Sequence, residues 1–90
     1  MTQLSLLRRP PEPLTAADHE RRRSLAREIT AAHMRLGRAH AARDEAEAMG
    51  YSTGARVAAG AECDRAAAHL AALEREMADI RRRASLGGGR

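Results

Sequence analysis

Four histidines and a single cysteine are the side chains of this 90-residue chain best suited to hold a metal or act as base and nucleophile. His33 and His40 stand seven residues apart, too far to grip one ion from adjacent turns of a helix. His40 and Asp44 do stand at i,i+4, where helical side chains are neighbours. Cys63 could join them only if a distant part of the chain folds back. Three mixed ligands without a fourth fall short of a zinc centre, so no metal and no other cofactor is expected. A catalytic Cys63 would need an orienting base and a pocket, and a rod of helices offers neither. No catalytic residue is expected, and the chain reads as a non-enzymatic protein in which Cys63 is a small buried apolar group.

Arginine is the other chemistry the sequence carries. All 16 basic residues are Arg, against 12 Asp and Glu, for a net charge of +4. The absence of Lys and Asn reads first as the mark of a GC-rich coding sequence. Arginine nonetheless brings forked, bidentate recognition of carboxylates and phosphates. Two triplets stand out, Arg21, Arg22 and Arg23 in "HERRRSL" and Arg81, Arg82 and Arg83 in "IRRRASL". With Arg8 and Arg9 they are the candidate partner- or phosphate-binding residues. "RRRASL" also resembles the recognition motif of basophilic protein kinases, a resemblance confined to those six residues, which implies phosphorylation of Ser85.

The elements that would position these arginines follow from composition and period. Tyr51 is the lone aromatic residue, and Ala supplies most of the apolar fraction. Such a chain cannot wrap a bulky globular core, but Ala, Leu, Arg, Glu and Met all favour helix. Prolines at 10, 11 and 13 bar helix before them, so residues 1–14 read as a flexible arm. Thr15 and Asp18 stand at the N-cap and N3 positions of a capping box. "GYSTG", 50–54, is the turn cluster, with Gly50 suited to the left-handed position after a helix and Ser52 or Thr53 to capping the next. The expected helices are about 15–49 and 55–84, with residues 85–90 a flexible Gly-rich tail.

Within those helices the apolar residues step by four and three. Leu25, Ile29, Ala32, Leu36, Ala39, Arg43 and Ala46 form one seam; Ala59, Cys63, Ala66, Leu70, Leu73, Met77, Ile80 and Ala84 form the other. Folding the chain at 50–54 sets Ala46 against Ala59, Leu36 against Leu70, Ile29 against Met77 and Leu25 against Ile80. One register satisfies every layer. The predicted fold is all-α, an antiparallel two-helix coiled-coil hairpin whose main helix–helix contacts are Leu25, Ile29, Leu36, Leu70, Leu73, Met77 and Ile80. So few large side chains leave an isolated hairpin marginal. Dimerisation, or docking on a partner, is expected to complete a helical bundle.

In that register the two triplets meet at the open end. Residues 15–34 with 80–90 hold 8 Arg against 3 acids, whereas 35–79 hold 6 Arg against 8 acids. The rod therefore reads as basic at its open end and acidic at its turn. His33 falls opposite Glu74, while Glu28 falls opposite Glu76 and Arg21 opposite Arg83. These like charges must splay into water or meet counter-charges from a second chain.

The expected function is a small helical adaptor, assembly factor or inhibitor, including one carried by a phage or other mobile element, that binds an acidic surface of a protein or nucleoprotein complex. The alternative is a regulator with sequence-independent nucleic-acid contacts; base stacking has no aromatics to use, and only Gln3 could read adenine. The lone cysteine and the absence of a signal peptide point to the cytoplasm. No apolar run approaches a membrane span.

Overall fold

A computed structural model describes residues 14–88. Two long helices, α1 (Ala16–Ala48) and α2 (Thr53–Gly88), pack along each other as an antiparallel hairpin. The predicted arm, Arg8 and Arg9 included, lies outside the described residues except for Leu14, whose side chain packs on the core.

Local chemistry fixes both ends of α1. Thr15 Oγ1 accepts from the Asp18 amide at 3.1 Å, and Asp18 Oδ2 accepts from the Thr15 amide at 3.1 Å, so the capping box is closed. At the other end Gly50 adopts φ 69°, the left-handed conformation open to a residue without Cβ. Its amide donates to Glu47 O at 3.3 Å, and the Tyr51 amide reaches back to Ala46 O at 2.9 Å. That pair of bonds is a Schellman closure, which satisfies carbonyls that the helix end leaves without partners. The chain then needs only Tyr51 and Ser52 to reverse. Ser52 Oγ accepts from the Ala55 amide at 3.2 Å, so α2 starts two residues earlier than its predicted boundary.

At its far end α2 runs on to Gly88, four residues past Ala84. Glycine lowers helix propensity by about 1 kcal/mol yet keeps its amide donor. Only proline removes that donor, and residues 85–88 contain none.

The core is the seam between the helices. Leu25, Ala32, Leu70, Leu73, Met77 and Ile80 form one buried cluster, with Ile29 and Leu36 packed partly buried against it. Ala39, Cys63 and Ala66 form a second, smaller cluster nearer the turn, and Leu36 bridges the two. Leu25 and Ile80 are the largest side chains sealed from solvent, at 0% and 2% exposure. The seam thus grades from small residues at the turn to large ones towards the open end.

Candidate interaction surface at the open end

Both arginine triplets lie at the open end, and most of their members are occupied. Arg21 Nε and Nη2 donate to the two carboxylate oxygens of Glu76 on α2 at 2.6 and 2.9 Å, while Nη1 donates to Glu28 at 2.7 Å. Arg23 donates to Glu20 at 2.7 Å, and Arg82 to Asp79 at 2.6 Å. Arg83 reaches across to Asp18 at 3.4 Å and back to Asp79 at 3.6 Å. Arg22, half-buried in line with the seam, and Arg81, exposed, have no carboxylate within ion-pair distance among the described residues.

These contacts correct the expectation of unpaired like charges on this flank. Arg21 passes the directly facing Arg83 and lies between Glu28 and Glu76. The counter-charge for both glutamates comes from within the chain. The Ser24 hydroxyl, donating at 2.6 Å, and then Arg21 hold the Glu28 carboxyl below its ordinary range, although Glu76 pushes it the other way. Arg21 lowers Glu76 likewise, and its own guanidinium is held still more firmly protonated. Asp18 is lowered by the Thr15 amide and hydroxyl, with Arg83 adding to them.

Two heptads nearer the turn the same geometry repeats. Arg35 donates to both oxygens of Glu62 at 2.9 and 3.2 Å, and Arg65 approaches Glu62 at 3.4 Å. Among the described residues the opposite flank carries one cross-helix contact of this kind, His33 to Glu74 at 3.7 Å. The facing positions predicted that contact. They missed the Arg21 and Arg35 bridges, because a long arginine reaches a residue one heptad along from the one it faces.

The charge layout is also gentler than the residue ranges implied. Residue 34 lies opposite 71 in the observed register, so a cut straight across the rod assigns 71–79, with Arg75, Glu74, Glu76 and Asp79, to the open half. Residues 14–34 and 71–88 then hold eight arginines against six carboxylates, a net of +2. Residues 35–70 hold five of each. The turn half is neutral rather than acidic.

The residues considered for chemistry stay apart. Cys63 is buried beside Ala39 and Ala66, whereas His40 and Asp44 are exposed. Arg43 approaches Asp44 at 3.7 Å. Among the described residues no group of three His, Cys, Asp or Glu side chains is placed to hold a metal. Two shallow grooves flank the seam. One, about 310 Å³, is lined by Glu28, Ala31, Ala32, Arg35, Arg38 and His69. The other, about 260 Å³, is lined by Ile29, Glu74, Met77, Ala78 and Arg81. Among the described residues, no helix is long and apolar enough to cross a membrane.

No protein-family model, curated protein or solved structure matches this chain. Its own geometry must carry the functional reading. That geometry is a rod with a modest cationic excess in its open half, where Arg22 and Arg81 of the triplets, with Arg27 and Arg75 beyond them, have no ion-pair partner among the described residues.

Proposed function

We propose that this chain is a non-enzymatic helical interaction protein, an adaptor, assembly factor or inhibitor, that docks its open end onto an acidic surface of a protein or nucleoprotein complex. Arg22 and Arg81 are the principal contacts, and the Arg8 and Arg9 segment adds to them. Such a protein works in the cytoplasm, where a lone thiol stays reduced, and it associates with copies of itself. One observation carries the reading: the carboxylates that engage Arg21, Arg23, Arg82 and Arg83 leave Arg22 and Arg81, of the two triplets, without a counter-charge among the described residues. An external carboxylate is the simplest way to supply it, because arginine forks pair with carboxylates in bidentate geometry.

Fluorescence anisotropy with a labelled polyglutamate peptide and a labelled random DNA duplex, each titrated with salt, tests this. The peptide is expected to bind at low salt and to lose affinity in the Arg22→Glu/Arg81→Glu double variant. Arg82→Glu, whose arginine already serves Asp79, is expected to weaken binding less. Tight duplex binding with a steep salt slope, and none to the peptide, would instead favour the sequence-independent nucleic-acid regulator.

A further inference from the structure

Helix α1 carries a second strip of residues at alternating three- and four-residue steps, on its side away from α2. Arg27, Thr30, Met34, Gly37, Ala41 and Asp44 occupy it, and all six are exposed. Met34, at 59%, is one of the few large apolar side chains left in solvent among the described residues. One turn further on, Gly37 presents bare backbone, since a Cβ built there would meet nothing within 4 Å. The strip is polar along its length: cationic Arg27 lies towards the open end and anionic Asp44 towards the turn. Neither takes part in a cross-helix ion pair; Asp44 has only its neighbour Arg43, at 3.7 Å.

Reversed upon itself, this strip is its own complement. In an antiparallel register whose facing numbers sum to 71, Arg27 meets Asp44, Thr30 meets Ala41 and Met34 meets Gly37. We infer that a second copy of this chain docks antiparallel along the outer strip of α1, the Met34 side chain of each copy seated over Gly37 of the other. This rests on the reading of the chain as a self-associating interaction protein and names the face that does it. The interface is isologous, so each pair occurs twice about a two-fold axis. Methionine's flexible thioether adapts to the shallow depression that a glycine leaves. The outer strip of α2 shows the same order of charge, Asp64 towards the turn and Arg75 towards the open end. Between those two it has only Ala68 and Ala71, and no large side chain to cover. The strip offers one large apolar side chain per copy, Met34, beside two exposed ion pairs, so the dimer is weak and concentration-dependent.

Sedimentation equilibrium of the full chain, with helicity followed in parallel, decides the matter. A monomer–dimer equilibrium is expected that loosens as salt is added. Arg27→Asp and Asp44→Arg should each weaken it about tenfold, because each exchanges two attractions for two repulsions. The double reversal should restore it, and Met34→Glu should abolish it with helicity kept. Arg75→Asp should leave it unchanged. A monomer throughout the micromolar to millimolar range, a dimer indifferent to Met34→Glu, no rescue in the double reversal, or loss in Arg75→Asp would each overturn the inference. Binding of the acidic peptide, measured on the same samples, keeps the two readings separate. A monomer that still binds the peptide removes only the dimer, whereas a dimer that ignores the peptide removes only the open-end contact.

Discussion

The two halves of the seam are built on opposite rules. Towards the open end Leu25, Leu70, Leu73, Met77 and Ile80 fill the space between the helices, and their buried area holds the hairpin together. Near the turn Ala39, Ala46, Cys63 and Ala66 bury little apiece. There the Schellman closure and the four-residue connection, 49–52, bring the helices together, and small side chains let them lie close. One half is stable through what it buries; the other is determined by its backbone. Removing volume should therefore hurt the open half, and adding volume the turn half. The largest effect is expected for Leu25→Ala. Deleting a fully buried leucine costs about 2–5 kcal/mol, enough to unfold a small hairpin, and a chemical-denaturation midpoint in circular dichroism would measure it. An equal loss on deleting the half-buried Leu36 would show that burial does not grade along the seam as described.

Enlargement gives the converse. Ala66→Leu places three extra carbons where the side chain is 0% exposed, and overpacking of this kind costs about 1–3 kcal/mol. A gain in stability would mean that the turn half holds unused space. Gly50→Ala probes the backbone instead. A Cβ there meets no atom within 4 Å, so the penalty comes only from holding alanine at φ 69°, about 1–2 kcal/mol. Asn, which tolerates the left-handed region, should recover much of that loss.

The opposing rules were legible in the sequence to different depths. The seam could be read because apolar spacing on both helices agrees with one register, and a one-residue slip would break every layer at once. The capping box and Gly50 could be read because each uses a residue type that few others replace. The fate of the arginines could not be read from facing positions. A guanidinium on a flexible stem chooses among several carboxylates within reach, and the structure alone shows Arg21 taking Glu76 and Glu28 together. Electrostatic faces built from long side chains are thus less determined by register than apolar ones. This is why the predicted six-arginine pole reduces to Arg22 and Arg81.

The smallest expected effect tests those choices. Glu28, Glu62 and Glu76 all have carboxyls held below their ordinary range, by Ser24 and Arg21, by Arg35, and by Arg21 respectively. Each therefore binds a proton more readily in the unfolded chain than in the hairpin. Stability from these groups is present above the unfolded carboxylate pKa, near 4.3, and is lost as pH falls through the lower folded values. A thermal midpoint followed downward from neutral pH should hold until about pH 5 and then decline. All three pairs are open to water, so salt screens them and the decline should shrink in high salt. Arg21→Gln should remove part of the acid-side slope while lowering the neutral-pH midpoint by less than about 5 °C. The corresponding change at Arg75, which has no carboxylate within ion-pair distance among the described residues, should alter neither. An acid slope that Arg21→Gln leaves intact would mean that the bridge to Glu28 and Glu76 does not persist in solution. The flank would then be held by the apolar seam beneath it.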